Sequence, residues 1–131
     1  LLVVLTLHAG FWVCMDQFIS PHPDFIDHWV QSRVLSWGYY EHPPMVAWLI
    51  RSLSLLFGSS EGGLEAMALV TNLAILVALY ALAVRTFGVG AANFTLLAIE
   101  TTAYFTLGTP VLQIEQPLLL SWIGALKANL R

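Results

Sequence analysis

Residues 24–44, DFIDHWVQSRVLSWGYYEHPP, interrupt a chain that is otherwise close to lipid in character. The stretch gathers Asp24, Asp27, His28, Glu41 and His42, with His22 just ahead of it. The chain is 58% hydrophobic and 10% charged, so it has few ionisable groups to place. A soluble domain carries about one quarter charged residues. Together with a mean hydropathy of +0.76, this deficit predicts an integral membrane protein. Ionisable residues concentrated beside a membrane mark a functional site by default.

Outward from that stretch the chain divides by its breakers. Pro21 and Pro23 end the apolar segment that precedes it, and Pro43 and Pro44 close it. Between them Phe25, Trp29, Val30, Val34 and Trp37 recur at helical spacing, which predicts an amphipathic helix over 25–37 lying on a membrane surface. Trp29, Trp37, Tyr39 and Tyr40 suit the headgroup layer. The next apolar run, 45–57, covers about 20 Å as a helix, short of a hydrocarbon core of about 30 Å. It also carries Arg51, so an interfacial helix is expected, ended by Gly58 and followed by a helix capped by Ser59 or Ser60.

The expected architecture is therefore all-α: a polytopic transmembrane helical protein with amphipathic interfacial helices in its first outer loop. Spans are expected at about 1–17, 64–84, 91–108 and 116–131, and the loop at about 18–60. Phe87-Gly88-Val89-Gly90 and Gly108-Thr109-Pro110 supply the turns, and Pro117 sits in the first turn of the last span. The chain opens with Leu inside an apolar segment and reads as the N-terminal part of one longer transmembrane domain. If the first span leads out of the cytoplasm, Arg85, Lys127 and Arg131 fall inside, as the positive-inside rule asks. Asp24, Glu41 and Glu115 then share the outer face.

Composition also excludes some functions. A formal net charge of −3 and the lack of a basic stripe argue against nucleic acid as a partner. Cys14 is the sole cysteine and forms no intrachain disulfide.

Carboxylates at one membrane face can act as a general base or hold a metal. Asp24 begins the surface helix, where a carboxylate also serves as a cap. Glu41 is aimed by the prolines that follow His42, and a Glu-His pair suits a metal or a phosphate as well as a solvated loop. Glu115 precedes Gln116-Pro117 at a helix start, where it also favours the helix dipole. His22, His28 and His42 lack a compact zinc spacing. Glu100, placed within a span, must be neutral, paired or facing a cavity. A structural hydrogen bond, with Thr101 or Thr102 as partner, is expected there.

The early Asp24, then WGYYEHPPMVAWLI and LFGSSE, and later QIEQPLLLSW, together resemble the prokaryotic relatives of dolichyl-phosphate-mannose–protein mannosyltransferases, which are C-type membrane glycosyltransferases. The likeness covers nearly the whole chain. It implies transfer of a sugar from a polyprenyl-phosphate donor to a protein, lipid or glycan acceptor, with inversion, at the outer face of a prokaryotic cell membrane. On that likeness Asp24 is the general base and Glu115 the second acidic catalytic position. On the same likeness His42 lies near the lipid phosphate and Glu41 is a metal or polar-site residue. Beside the likeness, Arg33 and Tyr40 are expected to bind substrate with His42, and a divalent ion, Mg, Mn or Zn, is expected at Glu41. Phe25 stands where the family often has Glu, Glu115 where it usually has Asp, and Glu65 near the place of a frequent Arg. A part of such an enzyme is expected to be inactive by itself. The rival readings are a transporter or channel with Glu100 on an ion path, a structural membrane module, and an inactive transferase relative.

Overall fold

The computed structural model describes residues 1–15, 18, 23–40, 42–102, 105 and 115–129. Its elements are helical throughout: α1 (Leu2–Met15), α2 (Pro23–Ser32), α3 (Met45–Phe57), α4 (Glu61–Glu100) and α5 (Glu115–Asn129). The all-α class is as expected from the sequence, and α3 has the expected limits. Pro44 precedes it, and the Gly58 N–H closes its last turn on the Ser54 carbonyl. Ser60 caps α4 by accepting from the Gly63 N–H at 3.2 Å. That bond satisfies one of the four N–H groups a helix start leaves open.

Two apolar clusters hold the helices. In the first, Phe25 of α2, Val46 and Ile50 of α3, and Leu64, Met67 and Ala68 of α4 are buried together, with Trp29, Leu49, Leu53 and Phe57 packed around them. In the second, Ile75, Leu76 and Leu96 of α4 meet Ile123 of α5, and Leu1, Val4 and Leu5 join them from the start of the chain. Helix α3 is central, touching α2, α4 and α5. Thr71 and Asn72 are buried in α4, but their side chains donate back to the Met67 and Ala68 carbonyls at 2.8 and 3.0 Å. Polar groups in an apolar helix are thereby satisfied locally.

The 61–100 element is long and apolar enough to cross a membrane. It is not one straight rod. Gly88 sits at φ 86°, ψ 172°, outside the helical region, so two helices meet there. The break falls within the expected Phe87–Gly90 turn. A straight helix would hold residues 76 and 96 about 30 Å apart. Leu76 and Leu96 instead belong to one buried cluster.

Two expectations need correction. Helix α2 stops at Ser32 instead of reaching Trp37. Its buried stripe is Phe25, His28 and Ser32 with Trp29 alongside, whereas Val30, Val34 and Trp37 are exposed. The helix is ended by competing bonds. The Ser32 hydroxyl donates back to the Trp29 carbonyl at 2.6 Å, Arg33 and Val34 turn onto the Val30 and Gln31 carbonyls, and the Tyr39 hydroxyl takes the Val34 carbonyl. The second correction concerns Glu100. It ends α4 instead of lying deep in a span, with Thr101 as C-cap. The partner seen is His8 of α1, whose Nδ1 lies 2.9 Å from Glu100 Oε2. The Thr101 and Thr102 hydroxyls donate to the Ala98 and Ile99 carbonyls. The expected turn at 108–110 lies outside the described residues.

Candidate functional site

The site is built where α2 and the connection to α3 fold onto each other. Pro23 opens α2, which suits a position whose N–H would have no intrahelical acceptor. Asp24 follows in the first turn and is exposed, at the positive end of the helix dipole. One turn on, Asp27 points outward and His28 inward. Gln31 Nε2 donates to Asp27 Oδ2 at 2.7 Å and fixes that carboxylate.

The connection then returns to α2. Tyr39 N–H donates to the His42 carbonyl at 3.2 Å, and Trp48 Nε1 of α3 donates to the Ser36 carbonyl at 3.1 Å. Trp37 and Trp48 meet edge to face with centroids 5.3 Å apart. These contacts bring the His42 ring against that of His28, centroids 4.6 Å apart and planes at 80°. One ligand-type atom from each of Asp27, His28 and His42 lies within 4.8 Å of the others.

Electrostatics at this point favour neutral imidazole. Burial pushes the His28 pKa below its ordinary value and the neighbouring His42 pushes the same way, against the opposing pull of Asp27, Asp24 and a side-chain interaction with Gln31. Asp24 lies one turn before His28 on α2, at a spacing that sets the two on the same side of a helix.

The other expected residues are distributed around this centre. Arg33 is exposed just beyond α2, with its guanidinium 5.1 Å from the Trp29 ring centroid and Nη1 donating to Ser59 Oγ at 3.3 Å. Tyr40 is fully exposed. Glu115 is exposed in the first turn of α5, beside buried Gln116 and Pro117, while α2 and α5 both pack on α3. Glu41 and His22 lie outside the described residues. The structure thus gathers His42 with two residues, Asp27 and His28, that had no assigned role, and sets Asp24 one turn before His28. Asp27 and His28 are contiguous and His42 follows fourteen positions later. No local motif marks such a set, and only the proline pair at 43–44 hints that the chain turns back.

Residues 41–131 match the family model described as dolichyl-phosphate-mannose-protein mannosyltransferase. The chain belongs to that family. The matched region contains Glu41, His42 and Glu115, while Asp24, Asp27, His28 and Arg33 precede it. Among curated proteins, the chain is similar to the lipid A galacturonosyltransferase RgtD of Rhizobium johnstonii, with 46% identity over 37 residues. That match covers 28% of this chain and 8% of the relative. No solved structure matches the chain significantly.

Proposed function

We propose that this chain is the N-terminal part of a multi-pass membrane glycosyltransferase. It moves a sugar from a polyprenyl-phosphate donor to an acceptor hydroxyl at the outer membrane face, with inversion. The observation that carries the reading is the family match over 41–131, which contains the Glu41-His42-Pro43-Pro44 segment and Glu115. The name of the similar relative, a lipid A galacturonosyltransferase, points the same way.

The geometry gives each residue a workable task. Direct inversion needs a base on the face of the sugar opposite the leaving phosphate. Asp24 is exposed in the first turn of α2, so its carboxylate can take the acceptor proton. The departing lipid phosphate gathers negative charge, and preorganised positive charge lowers that cost. Arg33, braced on Trp29 and Ser59, supplies that charge, and His42 stands in the same segment, where a ring N–H can donate to the phosphate. Fully exposed Tyr40 is free to lie against substrate. Glu115 opens a helix and orients, with less demand on its charge. Exposed Leu55 and Leu56 on α3, and Val34, Leu35 and Trp37 beside it, give the segment an apolar side for the membrane interface. There the carrier's headgroup is at hand.

Four spans and an outer-facing site complete the reading. The rival ion-path reading finds no support in Glu100, because His8 holds it in a hydrogen bond against an apolar setting of Val4, Leu7, Phe11, Trp12 and Leu97.

In the full-length protein, Asp24→Asn keeps size and removes the base. Transfer from a polyprenyl-phosphate sugar should fall by about two to four orders of magnitude while carrier binding survives. Glu115→Gln should cost less. Near-normal transfer by Asp24→Asn would remove Asp24 from catalysis and leave it as a helix cap.

A further inference from the structure

We propose that Asp27, His28 and His42 form a binding site for a divalent transition-metal ion of the zinc type. The inference stands on the donor set and its surroundings, and does not depend on the sugar-transfer reading.

Three observations carry it. First, two separate segments bring three ligand-type atoms within 4.8 Å of one another. A tetrahedral zinc ion with bonds of about 2.0–2.1 Å holds its ligand atoms about 3.3 Å apart. Closing the set asks for side-chain shifts of about 1.5 Å at most between ligand atoms. Second, His28 is only 2% exposed, yet its Nδ1 is buried with no hydrogen-bond partner among the described residues, and the same holds for Nδ1 of half-buried His42. Buried polar atoms are nearly always satisfied, and an exception asks for an ion, a water or a function. Two such atoms on rings in contact share one explanation if a cation lies between them. Third, the surroundings support ligation. Gln31 orients the Asp27 carboxylate, which is the usual outer-shell support of a metal ligand. The Tyr39 N–H holds the His42 backbone, and Pro43 and Pro44 stiffen the approach to it.

The donor chemistry selects the metal. Two imidazoles and one carboxylate suit zinc and its first-row neighbours, whereas magnesium and calcium call for oxygen donors. Three protein ligands leave a position open to water or to an anionic group. In this arrangement His42 acts as a ligand in place of a direct contact with a phosphate.

The test uses the purified full-length protein, stripped with chelator and titrated with Zn²⁺ against a competing chromophoric chelator. Wild type should bind one zinc per chain at this site and resist displacement by a large excess of Mg²⁺. Asp27→Asn and His42→Gln should each weaken zinc binding at least tenfold. Glu61→Gln, an exposed carboxylate at the start of α4, should leave it unchanged. Zinc should also raise the thermal unfolding temperature of wild type and of Glu61→Gln, and not that of the two ligand variants. His28→Gln, at a buried position, serves only if it folds; the two more exposed variants decide the question without it. Absence of zinc binding in wild type, displacement by Mg²⁺, or unweakened binding in His42→Gln would each overturn the site.

Discussion

Gly88 offers the sharpest physical test of how this chain is folded. Its φ of 86° and ψ of 172° lie in a region that only glycine occupies without strain. No atom lies within 4 Å of where a Cβ would stand, so the penalty of Gly88→Ala is purely one of backbone conformation. That penalty is about 1–3 kcal/mol, or roughly a five- to 150-fold drop in the folded-to-unfolded ratio. Two residues later the same substitution has the opposite sign. Gly90 is exposed, has ordinary helical backbone, and also has open space at its Cβ position. Gly90→Ala should therefore stabilise by about 0.8–1.0 kcal/mol, the difference in helix propensity. Equilibrium unfolding of the full-length protein in mixed micelles, followed by tryptophan fluorescence, measures both. The chain can escape the Gly88→Ala penalty only by straightening, which would pull Leu96 away from Ile75 and Leu76 and lose the second cluster. A Gly88→Ala variant as stable as wild type, or shifts of the same sign at both positions, would refute the break at Gly88.

Two further outcomes test the packing. Phe25 is fully buried and is the main apolar tie from α2 to α3 and α4, so Phe25→Ala should cost about 3–5 kcal/mol and weaken zinc binding along with it. For the part-buried His8–Glu100 hydrogen bond, a double-mutant cycle in the same unfolding assay should show His8→Leu and Glu100→Leu each costing about 1–3 kcal/mol, with the double variant costing less than their sum.

Much of the fold could be read from residues that stop helices. Helix α3 has the limits expected because Pro44 and Gly58 bracket it and both act through the backbone alone. Ser60, Gly88 and Pro117 are legible for the same reason: each solves a local problem of capping, turning or a missing N–H. The end of α2 was not legible in this way. Val34 and Trp37 continue the helical period, so pattern favoured thirteen residues of helix. Three polar competitors, Ser32, Tyr39 and the Ser36–Trp48 bond, instead capture carbonyls and redirect the chain. Their effect depends on α3 being in place to supply Trp48. The partner of Glu100 was hidden for a stronger reason. His8 lies 92 residues away, and no local rule pairs the two.

The candidate site shows the same division more sharply. Asp24 and Glu115 lie where single-residue reasoning expects them, at helix starts, whereas Arg33, expected within the helix, lies just past its end. The cluster of Asp27, His28 and His42 depends on loop closure instead. Its ligand spacing is set by α3, whose Val46, Ala47 and Ile50 face is buried. Val46 and Ile50 pack with Phe25 and Met67, and that packing fixes the α3 start next to α2. Two prolines carry that fixed start back to His42, and the buried ring of His28 waits at the other end. A short apolar helix that merely rested on a membrane would need no such anchoring. Because α3 is anchored on one side and offers exposed Leu55 and Leu56 on another, it couples an exposed apolar surface to the spacing of the polar cluster. The loop that interrupts the lipid-like sequence is thereby held against α2 and α3 instead of being left as a solvated connection.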